Sequence, residues 1–157
     1  MKQLEYTTRD RTGWGPGPWD EEPDKVQWED ESTGLPCLAV RNHYGAWCGY
    51  VGVPPGHRHF GKHYDDVDAG IHGGLTYSGR SNAPAGSPQR ISHLPEPGEP
   101  EELWWLGFDC NHCYDLAPVL FFELNRNDPF YKGGEGTVYR TLAYVKEQCT
   151  ELARQIA

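Results

Sequence analysis

The stretch that decides the fold is Leu35-Pro36-Cys37-Leu38-Ala39-Val40-Arg41-Asn42-His43-Tyr44-Gly45-Ala46-Trp47-Cys48-Gly49-Tyr50-Val51-Gly52-Val53. Two apolar runs, Leu35 to Arg41 and Ala46 to Val53, flank the turn-forming Asn42-His43-Tyr44-Gly45, so the stretch predicts a β-hairpin. Side chains alternate along a strand. By parity, Leu38 and Val40 of the first run are expected on a core face with Trp47, Val51 and Val53 of the second. Cys37, Ala39, Arg41, Cys48 and Tyr50 fall on the other face. That small and aromatic face is unusual for plain solvent; either the N-terminal segment covers it or it floors a pocket.

Upstream of the hairpin, Val26 and Trp28 alternate with Lys25, Gln27 and Glu29 as a short strand, and Ser32-Thr33-Gly34 is a turn. Residues 1–24 read as an irregular arm, since Gly13-Trp14-Gly15-Pro16-Gly17-Pro18-Trp19 cannot continue a helix. The arm either lies on the body through its two Trp or is a disordered tail. Downstream, 54–70 is a polar loop carrying His57, His59 and His63. Ile71 to Tyr77 reads as a strand, with Gly73-Gly74 allowing a bulge or a close backbone approach. Residues 78–100 form a long Gly/Pro/Ser-rich loop, of the kind that is functional or mobile. Leu103 to Phe108 is the most apolar strand and is expected centrally, antiparallel to Ile71–Tyr77. Leu116 to Leu124 is apolar, but Pro118 leaves helix and strand both open, and Asn125 to Gly136 reads as a loop.

Val138, Leu142, Val145, Cys149, Leu152 and Ile156 recur at spacings of four and three, predicting a helix over 137–156 with Thr137 as its N-cap. The expected fold is α+β: a mainly antiparallel sheet of about four to six strands within 25–124, packed against an amphipathic C-terminal helix.

A chain of 157 residues fits one domain, 1–157. It carries 14 Lys+Arg against 23 Asp+Glu, a net charge of -9, with no basic run, so duplex nucleic acid is not an expected partner. Met1 to Asp10 holds no apolar core of a secretory signal, and no run is long enough to span a bilayer, so neither export nor a membrane is expected. Five Cys without a secreted-scaffold pattern fit free thiols in the cytosol.

The densest group of chemistry-bearing residues is Asp109-Cys110-Asn111-His112-Cys113-Tyr114-Asp115, directly after the apolar strand. Rigid strands that hand over to loops often carry sites. Carboxylates and an imidazole at this spacing can bind a divalent metal or run acid/base chemistry. They read equally as a turn cap, a structural His and a solvated Asp. Cys110 and Cys113 form a CxxC without the second ligand pair of a structural zinc site, and serve best as small buried side chains. His72 stands out among the other His because it adjoins Gly73-Gly74. Gly133 to Gly136 before the helix is a weak anion-site signal. No nucleophile elbow, P-loop, dinucleotide fingerprint or HExxH is present in the sequence.

Several blocks together resemble a widespread family of small uncharacterised bacteriophage and bacterial proteins. They are Glu22 to Trp28, Thr33 to Leu38, Trp47-Cys48-Gly49-Tyr50-Val51-Gly52-Val53, Gly56-His57, His72-Gly73-Gly74-Leu75-Thr76-Tyr77, Trp104 to Cys110, His112, Asp115 and Tyr144-Val145. The resemblance implies a cytosolic accessory protein, phage-encoded, and by analogy with other small phage proteins one that acts on host processes or host defence. It implies no chemistry. The family has small residues where this chain has Cys113-Tyr114, which weakens the CxxC reading further.

The expected function is binding of a small molecule, conceivably nucleotide-like, in a pocket lined by His72, Tyr77, Trp47, Tyr50, Asp109, His112 and Asp115. The alternative is a metal-dependent hydrolase with one divalent ion on His72, Asp109 and His112, joined by Asp115 or His57. A third is a protein-interaction module that docks a host protein through the Trp arm or an acidic face.

Overall fold

A computed structural model describes residues 1–127 and 136–157. Six strands, β1 (Leu4–Tyr6), β2 (Lys25–Glu29), β3 (Pro36–Arg41), β4 (Trp47–Val53), β5 (Tyr77–Arg80) and β6 (Trp104–Asp109), form one sheet in the order β1-β2-β3-β4-β6-β5. Every neighbouring pair is antiparallel. Two helices follow, α1 (Pro118–Asn127) and α2 (Leu142–Ile156). The fold is the expected α+β arrangement of a sheet against a C-terminal helix. Among the described residues no helix is long and apolar enough to cross a membrane.

The β3–β4 hairpin forms where the sequence places it. Asn42 Oδ1 accepts the backbone N–H groups of Tyr44 (2.9 Å) and Ala46 (3.1 Å), which closes the turn. The parity assignment of its faces is corrected by the register. Arg41 pairs with Trp47, Val40 with Cys48, Leu38 with Tyr50 and Cys37 with Val51. Directly paired residues share a face, so Leu38 and Val40 lie with Cys48 and Tyr50, opposite Trp47, Val51 and Val53. Both faces are buried. One core packs Val26, Cys37, Ala39, Trp47, Val51 and Phe108 under Val145, Cys149, Leu152 and Ile156 of α2. The other packs Leu38, Val40, Cys48, Tyr50 and Trp105 under Ile91 and Leu103.

The second core explains the long loop. Within 81–103 the chain lies over the sheet and is pinned by two buried polar residues of β2. The Gln27 amide donates to Leu94 O (3.0 Å) and accepts from Leu94 N (2.8 Å). Lys25 Nζ donates to Ser87 O at 2.6 Å, and burial lowers its pKa to about 8.

The N-terminal segment is an arm laid on the body and contributes the edge strand β1. Trp14 and Trp19 are buried. Arg11 pairs with the buried Asp24 at 2.7 Å. Glu22 fastens the arm to α2: its Oε1 accepts the Leu142 N–H (2.7 Å), and its Oε2 accepts from Arg41 (3.0 Å), Trp47 Nε1 (3.0 Å) and the Tyr139 hydroxyl (2.5 Å).

Three further expectations are corrected. Helix α2 starts at Leu142 with Thr141 as N-cap, its hydroxyl accepting from Tyr144 N, rather than at 137 with Thr137. Val138 is excluded from the stripe and is 51% exposed, because its backbone bridges to the site turn: its N–H donates to Tyr114 O and its C=O accepts from Leu116 N, both at 3.0 Å. The strand expected over Ile71–Tyr77 begins only at Tyr77, although it pairs antiparallel with β6 as expected. Gly73 (φ 65°) and Gly74 (φ 81°) are left-handed, which turns the chain before the strand can form. The apolar segment from Leu116 resolves as helix, with Pro118 at its tolerated first position. α1 runs to Asn127, and the rest of the loop expected over 125–136, Gly136 apart, lies outside the described residues, as do three of the four residues of the Gly133–Gly136 signal.

Candidate metal centre

The site is built from two turns that α2 clamps together. After β6, Asp109 Oδ1 accepts the Asn111 N–H (3.1 Å) and turns the chain out of the sheet. The Asp115 N–H then donates to His112 O (2.9 Å), and Asp115 Oδ2 accepts the His112 N–H (3.1 Å), so His112 and Asp115 close one tight turn. The second turn, at Ile71–Gly74, carries His72. Its backbone N–H donates to Gln148 Oε1 at 2.8 Å, and Gly70 exchanges two hydrogen bonds with the Gln155 amide at 2.7 and 3.1 Å.

These turns bring His72, His112 and Asp115 together. His72 Nε2 lies 2.8 Å from Asp115 Oδ2, and His112 Nδ1 lies 3.2 Å from the same oxygen. One donor atom from each residue falls within 4.8 Å of the others. A first-row cation held at roughly 2.0–2.1 Å by four tetrahedral ligands sets its ligand atoms about 3.3 Å apart, so His112 Nδ1 already stands at that spacing from Asp115 Oδ2, and His72 Nε2 would draw back by about half an ångström to share a cation. Glycine at 73 is required here, because a Cβ there would come 2.3 Å from His112 Cε1. The imidazole occupies the space a side chain would take.

Outer contacts orient the donors. Tyr144 Oη lies 2.8 Å from His72 Nδ1, so with Nε2 on a cation the Nδ1–H donates to Tyr144. Arg140 Nε donates to Asp115 Oδ1 at 2.9 Å. Burial pushes the Asp115 carboxyl up, but hydrogen bonds from Arg140, His72 and the His112 backbone N–H outweigh it and hold the pKa below the ordinary 3.8. Asp115 is therefore a carboxylate at neutral pH. Burial raises the Tyr144 phenol, which stays protonated. The set of two imidazole nitrogens and one carboxylate oxygen, without thiolate, suits divalent first-row cations.

Of the expected site residues, His72, His112 and Asp115 converge. Asp109 lies beside the cluster: its Oδ2 accepts the Thr76 hydroxyl at 2.9 Å, and its Oδ1 is 4.0 Å from His112 Nδ1. The carboxylate of the donor set is Asp115 instead, because the turn that Asp109 caps carries Asp115 back under both imidazoles. Tyr50 and Tyr77 meet edge to face at 5.5 Å in the other core, across the sheet. Trp47 lies beneath Arg41 and bonds Glu22. No aromatic pocket of these three forms at the site. His57 packs with His59 in the 54–70 loop, outside the donor set. Cys110 is buried, Cys113 exposed, and both are free thiols.

Sequence reasoning missed Arg140, Gln148 and Tyr114. Tyr144 and Gln148 recur at i, i+4 beside the apolar stripe of α2, and that pair was the available signal; Arg140 lies ahead of the N-cap Thr141, where no periodic signal marks it. Tyr114 stacks on His112, centroids 5.4 Å apart and planes 6° apart. No protein-family model, curated protein or solved structure matches this chain.

Proposed function

We propose that this protein is a metal-dependent hydrolase of a small molecule, with one divalent cation held by His72, His112 and Asp115. The observation that carries the reading is the convergence of two imidazoles on one buried, ionised carboxylate oxygen, at 2.8 and 3.2 Å. Three protein donors leave coordination positions for water and substrate. A cation held there would supply a Lewis acid and a water that ionises near neutral pH. Asp109, 4.0 Å from His112, outside the donor set and partly exposed, would be the general base beside it. Thr76 and the Asn111 N–H hold its carboxylate in place. The resemblance to phage-borne proteins would put this activity in the cytosol of a host cell, acting on a host process.

The test is hydrolysis of a panel of small phosphate and carboxylate esters by protein stripped with a chelator and then reloaded with Zn²⁺ or Mn²⁺. Turnover that returns only with metal, and not in His112→Ala, is the expected result. Stripped protein that is as active as reloaded protein overturns the reading.

One observation favours a second reading, a metal-free small-molecule binder. A cleft of about 330 Å³ lies between the arm and α1, lined by Arg9, Asp10, Trp14, His43, Phe122 and Glu123. Its size falls at the lower end for ligand sites, roughly 300–1,000 Å³. A metabolite that stabilises chelator-treated protein, and loses that effect in Phe122→Ala, would favour this reading over the hydrolase.

A further inference from the structure

Tyr114 is the residue of the site that the metal reading leaves unused. It donates nothing to the three-residue cluster, yet it touches both imidazoles. Its ring stacks on His112 at 5.4 Å with an interplanar angle of 6°, and meets His72 edge to face at 5.5 Å. A ring in that position is expected to be buried, but Tyr114 is 40% exposed. Val138 is tied to it by the hydrogen bond from Val138 N to Tyr114 O at 3.0 Å and is 51% exposed. These are two of the four large apolar side chains exposed among the described residues; the backbone bridge pairs Val138 with Asp115, and of the two side chains Tyr114 is the one that packs on the imidazoles. Arg140, two residues from Val138, places its guanidinium on the outer oxygen of Asp115. The centre therefore carries both an exposed aromatic ring and a cationic side chain.

We infer that the exposed Tyr114 ring forms a subsite for a planar aromatic or heteroaromatic ring, carried by the substrate next to the anionic group that reaches the cation. This rests on the metal reading above and adds the substrate class to it. An exposed ring already stacked on one partner offers its π system to a second, and stacking tolerates any planar ring. A ring on the free face of Tyr114 lies one stacking layer beyond Tyr114, which itself stacks on the His112 imidazole at 5.4 Å. A short link, such as the sugar of a nucleotide, then spans from ring to metal-bound phosphate. Phenyl and nucleobase phosphates share this chemistry, and a nucleoside monophosphate is the probe of choice because its ring-free counterpart is available.

The test uses full-length protein loaded with Co²⁺, whose visible spectrum reports ligands entering its coordination shell. AMP is expected to perturb the spectrum at about tenfold lower concentration than ribose 5-phosphate, the worth of one stacked ring. Tyr114→Leu is expected to keep one Co²⁺ and to lose the difference between the two probes. Equal response of wild type to both probes overturns the subsite. So does a Tyr114→Leu protein that keeps the AMP preference, or one that no longer takes up Co²⁺, since Tyr114 would then be a support for His112. If wild type binds no Co²⁺ at all, the metal reading fails and the subsite falls with it; if it binds Co²⁺ but shows no AMP preference, the subsite alone fails.

Discussion

His72 Nε2 sits 2.8 Å from Asp115 Oδ2, joining residues 43 positions apart at a buried point between the sheet's edge and α2. The contact depends on α2, which holds the His72 ring through Tyr144 and its backbone through Gln148, and on Arg140 just ahead of the helix, which holds the carboxylate. Each of these outer contacts yields an expectation of its own.

Tyr144→Phe removes the partner of His72 Nδ1 and leaves the ring's packing intact. Loss of such an outer contact weakens metal affinity about 10–100-fold. The metal-free variant should lose no more than about 1 kcal/mol of stability, the net worth of one hydrogen bond. Competition with a metal-indicator dye checks the first figure and urea denaturation the second. Unchanged affinity would mean that Tyr144 does not orient a ligand.

Asp115→Asn should destabilise the metal-free protein at pH 7, because His72 and Arg140 lose a buried ionised partner. Breaking such a pair costs about 3–5 kcal/mol. The sign with pH follows from the depressed carboxyl. The folded-state pKa lies below 3.8, so the carboxylate contributes its full stability above the unfolded value and loses it as pH falls through the folded one. The gap between wild type and Asp115→Asn should therefore be present at pH 5 and close as the pH falls below about 3.8. Melts between pH 5 and about 3 check it; a gap that persists or widens below about 3.8 would reverse the assigned ionisation.

Leu152 is fully buried in the core under α2, whereas Val138 is exposed before the helix starts. Leu152→Ala should cost about 2–5 kcal/mol by leaving a cavity. Val138→Ala should stay within about 0.5 kcal/mol, as surface substitutions do. Equal losses in denaturant melts would put Val138 back in the helix stripe.

How far these features were legible in the sequence differs by residue. The β3–β4 hairpin and the stripe Val145, Cys149, Leu152 and Ile156 were readable, because alternation and 3.6-residue periodicity are local signals. The facing of Leu38 and Val40 was not. It depends on the register Arg41↔Trp47, which the Asn42 turn sets, and a one-residue change in that pairing reverses every side chain. The helix start was misplaced because Val138 keeps the stripe's spacing while its backbone bonds Tyr114 and Leu116 instead. At the site, His72 and His112 could be chosen for their glycine neighbours and their place after a strand. The choice between Asp109 and Asp115 could not, since it turns on which carboxylate the turn buries. Trp47, Tyr50 and Tyr77 looked like pocket residues from composition alone; with both faces of the sheet covered, they are core.

The most direct measurement is the metal content of purified protein by mass spectrometry, after dialysis against Zn²⁺ and then metal-free buffer. Wild type should retain one equivalent per chain, and His72→Ala, His112→Ala and Asp115→Asn should retain none, while Asp109→Asn retains the full equivalent. Wild type without bound metal, or the three donor variants retaining as much as wild type, would contradict the assignment of His72, His112 and Asp115 as a cation site.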